Sequence, residues 1–165
     1  MFLRAFRFVT VILAALGLTM GVAHVLELSP RMNYDAELYL AVTSTLYRWY
    51  GIVGAIVQVG SVLAVAVLCV LVRGRRGFRL TAAALLALVV SLGLWAAIVQ
   101  PVNAQWGEVL RADPSAAPAT YLRLRVRWEY GHVAACAAWL VGFACLVFSL
   151  LVEIHDREAN RLASH

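Results

Sequence analysis

Three side chains that could take a proton or hold an oxyanion, His24, Asn103 and His132, fall near the ends of long apolar stretches, with Glu27, Gln100, Trp106, Arg125, Trp128 and Glu129 close to them in sequence. Gly17, Gly21 and His24 recur at i, i+4 and i+7, so His24 belongs to the face of its helix that packs on other helices. Arg125, Trp128, Glu129, His132, Cys136 and Trp139 likewise share one face of a later helix. Two imidazoles at similar depth on inward faces suggest a shared cavity. Around them stand Asn103, Arg125, Trp106 and Trp128, with Glu27, Gln100 and Glu129. At any one of these positions the ordinary role is structural: Trp and Tyr anchor helices in the headgroups, and Arg and Glu snorkel to water. The concentration of polar groups at three helix ends on one side singles out the set.

Metal chemistry has weaker support. His24-x-x-Glu27 and Glu129-x-x-His132 put a carboxylate one turn from an imidazole, a spacing used in di-iron bundles. Such a centre needs further carboxylates, and the second and third apolar stretches contain none. A haem between His24 and His132 is the other metal reading. No metal ligand set follows, and the cofactor stays open.

The elements that must position these residues follow from hydropathy. Of 165 residues, 63% are apolar, above the half or so of soluble chains. The runs 8–26, 49–72, 80–107 and 130–152 lack Asp, Glu, Lys and Arg. Each approaches or exceeds the ~20 residues that cross ~30 Å of hydrocarbon as a helix. The first also resembles a secretory signal, Arg4 and Arg7 preceding an apolar run that reaches Gly21-Val22-Ala23. Its apolar core exceeds signal length, so a retained span is expected.

The expected fold is all-α: a single polytopic domain over 1–165, with four transmembrane helices in an antiparallel bundle. The helices run over about 8–28, 49–72, 79–106 and 127–152, with a polar tail at 153–165. Ser29-Pro30 stops the first helix, and Asp35 caps a short interfacial helix before the second. Pro101 interrupts the third helix and frees carbonyls for a cavity, while 113–120, rich in Pro and Ala, reads as a loop.

The net charge of +5 comes from Arg alone among the bases. Arg4 and Arg7 lie before the first helix, and Arg73, Arg75, Arg76 and Arg79 crowd one short turn. By the positive-inside rule that turn is cytoplasmic, in the bacterial inner membrane, and four crossings return the tail with Arg157 and Arg161 to the same side. Arg123, Arg125 and Arg127 then fall outside, against the rule. Arg at helix ends, not in one stripe, argues against nucleic acid as partner. Membrane lipid is the expected partner, with a hydrophobic small molecule in the cavity; a protein partner or homo-oligomer is not legible. Cys69, Cys136 and Cys145 have no CxxC spacing and read as packing residues.

His24-Val-Leu-Glu27-Leu, Leu-Tyr47-Arg48-Trp49, Pro101-Val-Asn103 and Arg125-Val-Arg127-Trp128-Glu129-Tyr130-Gly131-His132 together resemble the anthrone-oxygenase-like domain-of-unknown-function family of four-helix integral membrane proteins. The similarity covers nearly the whole chain, and Pro-x-Asn and Trp-x-x-x-His are its most specific parts. Ala135 stands where many relatives carry Arg, and Leu28-Ser29-Pro30 where they carry Leu-Pro. The resemblance implies an oxidoreductase, an oxygenase that is cofactor-independent or metal-assisted, acting on a hydrophobic aromatic or quinol-like substrate near the outer interface. On that reading His24 or His132 is the general base on an acidic phenol or C–H, Asn103 and Arg125 stabilise the oxyanion, Trp106 and Trp128 line the pocket, and Glu27, Gln100 and Glu129 help to bind the substrate. The alternative is a non-enzymatic membrane protein that binds a lipid or small molecule or serves as an accessory subunit.

Overall fold

A run without charged side chains, surrounded by lipid, can satisfy its backbone N–H and C=O groups only within itself, which makes helix the available conformation. The computed structural model describes residues 1–162, with side chains for all of these but Arg48 and residues 154–162. The end of the expected polar tail, including His165, and the side chains of Arg157 and Arg161 lie outside the described residues.

The order is α1 (Phe2–Met32), α2 (Ala36–Thr45), α3 (Tyr47–Leu71), α4 (Phe78–Leu94), a π-turn (Trp95–Val99), α5 (Gln100–Ala112), a 3₁₀ turn (Pro114–Ala116) and α6 (Ala117–Leu162). Among the described residues there is no strand, and four helical segments are long and apolar enough to cross a membrane: Phe2–Met32, Trp49–Leu71, Phe78–Ala112 and Pro114–Glu153. The protein is a four-helix membrane bundle with a short helix between its first two spans. The Asp35 carboxylate caps that short helix, accepting the Leu38 amide at 2.8 Å.

Four features depart from expectation. Pro30 does not stop α1; it lies inside the helix, which ends at Met32. Proline removes a single amide donor, and side chains hold the turn around it: Arg31 Nη2 donates to the His24 carbonyl at 2.9 Å and Asn33 to that of Ser29 at 2.9 Å. Arg4 and Arg7 accordingly lie within α1, not before it. Pro101 does not break the third span. The preceding turn widens to a π-turn, which gives the ring room, and the Ala97 carbonyl receives Arg127 Nη2 at 3.5 Å. The segment 113–120 is mostly helical, because Pro118 falls in the first turn of α6, where a missing amide costs nothing.

Around the bundle the neighbours are α1 with α3, α3 with α4, α4 with α6, and α6 with α1. The turn at 72–77, with Gly74 at φ 80°, makes α3 and α4 antiparallel. Small residues let α6 approach its neighbours. At Gly17 a Cβ would overlap the Trp139 indole, which donates to the Ala14 carbonyl at 2.9 Å; at Gly142 a Cβ would meet Leu88 at 2.8 Å. Without a hydrophobic drive between helices in lipid, such close approach supplies the packing energy.

One apolar core, with Ala14, Val65, Leu68, Leu88, Trp139 and Leu146, fills the half of the bundle that carries the N-terminus. Buried ion pairs join α1 to α6 at both ends: Arg7 with Glu153, and Arg31 with Glu129. Arg7 and Arg31 are 24 residues apart in α1, and Glu129 and Glu153 are 24 apart in α6. The two helices therefore run antiparallel in one fixed register.

Candidate functional site

That register brings His24 and His132 together, their rings stacked with centroids 4.0 Å apart and planes at 22°. Tyr47 stacks on the other face of the pair at 4.8 Å from His24, and the Trp128 ring lies 4.2 Å from His132. Nδ1 of His132 is 2.9 Å from the Trp128 carbonyl. A carbonyl can only accept, so in the neutral imidazole Nδ1 carries the hydrogen and Nε2 keeps its lone pair. In contrast, Nδ1 of His24 is buried without a hydrogen-bond partner.

The Trp128 indole orients a second group. Its Nε1 donates to Oδ1 of Asn103 at 2.8 Å. Because an indole N–H only donates, the Asn103 amide cannot be reversed, and its Nδ2 hydrogens face elsewhere. His24, Asn103, Trp106, Trp128 and His132 all line one cavity of about 410 Å³ between α1, α3, α4, α5 and α6, with Tyr47, Tyr50, Tyr121 and Trp139 also in its wall. The volume falls in the range of small-molecule sites, and the lining is mostly aromatic and apolar with few polar groups.

Above the cavity lies a closed polar cluster centred on Arg31, which is 1% exposed. Its Nη2 donates to Glu129 at 2.7 Å, its Nη1 to Glu27 at 2.8 Å and to the Tyr47 hydroxyl. The Tyr39 hydroxyl donates to the second Glu129 oxygen at 3.0 Å. Burial, reinforced by the Glu129 carboxylate, pushes the Tyr39 hydroxyl well above its ordinary pKa, so it remains a donor.

Four residues expected in the site serve other ends. Glu129 is 1% exposed and has both oxygens committed to Arg31 and Tyr39; Glu27 is half exposed and pairs with Arg31. Arg125 reaches the carbonyls of Tyr34 at 2.9 Å and Arg31 at 3.3 Å, clasping the turn between α1 and α2. Gln100 is exposed and lies outside the cavity wall. Helical phase places all four near the right depth, but depth alone does not separate a cavity wall from the layer covering it. Arg31, Tyr39 and Tyr47 were not among the expected site residues, although Tyr47 lies in one of the motifs that carry the resemblance. The signal for Arg31 was a lone cation one residue after a proline, which reads as a helix end.

The metal readings do not fit this arrangement. Axial imidazoles point their edges at an iron from opposite sides of a macrocycle, whereas His24 and His132 meet face to face and leave no space between them. Glu129 has no oxygen free for a metal, and among the described residues no group of three or more His, Cys, Asp or Glu side chains converges. Comparison of the chain with family models, with curated proteins and with solved structures returned no match.

Proposed function

We propose that this protein is a membrane oxidoreductase of the anthrone-oxygenase-like kind, which takes a flat, lipid-soluble aromatic or quinol-like substrate into the cavity beneath the Arg31 cluster. The observation that carries the reading is the pairing, on one aromatic-lined wall, of an imidazole with a defined free lone pair and an amide with defined free donors. His132 Nε2 is the base: it removes a proton from an activated methylene of the substrate. The electron pair left behind delocalises onto a ring oxygen, which the Nδ2 hydrogens of Asn103 hold as an oxyanion. Dioxygen is the oxidant. One of its oxygen atoms becomes the new carbonyl of the substrate, and the other leaves as water with the two hydrogens of the methylene. His24, stacked on His132, keeps the reacting ring in place, and the rings of Trp106 and Trp128 line the cavity wall beside the flat substrate. In the bacterial inner membrane, both termini and the Arg-rich turn at 72–77 are cytoplasmic, and the cavity lies toward the outer interface.

Anthrone is a suitable probe. Purified protein in lipid should convert it to anthraquinone with consumption of one dioxygen per product, followed by absorbance and an oxygen electrode. His132→Gln should slow turnover by about 10²–10⁴-fold, the usual contribution of a positioned base. Asn103→Leu should slow it by about 10²–10³-fold, as for loss of one oxyanion donor. Tight binding of anthrone with no turnover in the wild-type protein would leave a binding protein instead.

A further inference from the structure

The seams of the bundle differ in tightness. The glycines that meet α6 are crowded by it, Gly17 by Trp139, Gly21 by Cys136 and Gly77 by Ser149 and Glu153, and two glycines of α6 itself are crowded by the third span, Gly142 by Leu88 and Gly131 by Ile98 and Val99. The glycines of α3 are not. A Cβ at Gly51 or Gly60 would meet no atom within 4 Å, and one at Gly54 would meet only Met20 at 3.9 Å. Gly51 and Gly54 line the cavity, so there α3 does not make the close helix approach that crowds the other glycines.

The gap has a definite place. α3 packs on α1 and α4 but makes no comparable contact with the π-turn or α5. Gly51, Ala55 and Val59 of α3 line the cavity and are exposed. Leu92 and Trp95 line it from the opposite helix, and Trp95 is half-buried. The outer end is closed above the cavity by the buried Arg31–Glu129–Tyr39 cluster and the packed rings of Trp106, Tyr121 and Trp128. In a membrane the flank of α3 is covered by acyl chains.

From this we infer that the cavity opens sideways into the bilayer, between α3 on one side and α4 with the π-turn on the other, and that it is filled by an apolar planar molecule arriving from the lipid phase. The inference rests on the membrane-spanning fold and not on the chemistry proposed above. It gives the π-turn a role: the widened turn moves Ile98 and Val99 against Gly131 and sets Trp95 at the edge of the opening. Exposed Ser44 of α2 also lines the cavity, so a route from water past the end of α2 is the competing outcome.

Cys136 lines the cavity and reports on access without any knowledge of the ligand. The other two cysteines are replaced, Cys69→Ser and Cys145→Ser, and the protein is placed in liposomes. N-(1-pyrenyl)maleimide, flat and membrane-dissolved, should label Cys136, whereas a membrane-impermeant sulfonated thiosulfonate should not. Ala55→Trp should slow pyrenyl labelling at least tenfold. Ala23→Trp, in the neighbouring groove on the α1–α3 seam, which has Thr19, Trp49 and Val53 in its wall and shares Met20 and Tyr50 with the cavity, should not. Circular dichroism and an unchanged labelling rate in detergent-unfolded protein show that each variant folds and that its thiol is intact. Fast labelling by the impermeant reagent, no labelling by either, or equal pyrenyl rates with and without Ala55→Trp would overturn the inference. Lack of anthrone turnover would leave it standing.

Discussion

Arg31 holds four acceptors at once, two of them carboxylates, in a position that water does not reach. A buried charge that loses its partner keeps its full desolvation penalty, whereas losing both charges removes the penalty with the attraction. Glu129→Leu should therefore destabilise the protein by about 3–5 kcal/mol. Arg31→Leu combined with Glu129→Leu should recover part of that loss, as measured by thermal unfolding in detergent micelles. An additive double variant would mean that the two side chains act independently. At this scale the sequence was readable where chemistry and helical phase agree: Gly17, Gly21 and His24 do fall on one face, and so do Trp128 and His132. It was unreadable where a hydrogen bond decides the outcome. Nothing in the spacing tells that the Asn103 carbonyl is taken by an indole, or that Glu129 is spent on Arg31 and Tyr39.

The third span shows how an element absorbs a residue that ought to break it. Proline lacks the amide and its ring crowds the carbonyl four residues back, and one widened turn answers both problems without ending the helix. The bulge needs space opposite, and Gly131 provides it: a Cβ there would lie 2.8 Å from Val99 Cγ2 and 2.9 Å from Ile98 Cγ2. Gly131→Ala should therefore cost about 1–3 kcal/mol by overpacking. Gly93→Ala, on the same span with nothing within 4 Å, should leave the melting temperature unchanged. Helix number followed from hydropathy alone. Helix ends did not, because α1 and α6 both run past their apolar cores on the strength of side-chain partners such as Arg31, Asn33 and Glu153.

For the molecule as a whole, the two ion pairs single out which helices are neighbours: α1 carries the cation of both pairs and α6 the anion, so a one-turn slip or an exchange of partners would strand buried charge. The proposed orientation is open to direct measurement. In a Cys-free background in intact cells, Ser115→Cys should react with an impermeant thiol reagent and Arg73→Cys should not; the opposite pattern would invert the protein in its membrane. The spacing of the pairs has one more consequence. Twenty-four residues at 1.5 Å per residue is about 36 Å, slightly more than the ~30 Å of an average hydrocarbon layer. The pairs act as a gauge: in a bilayer of ordinary thickness each sits in the headgroup zone, and a tilt of both helices together takes up the excess. Where the hydrocarbon layer exceeds about 36 Å the same charges would be drawn into oil, so the two pairs set an upper limit on the bilayer thickness that suits this protein.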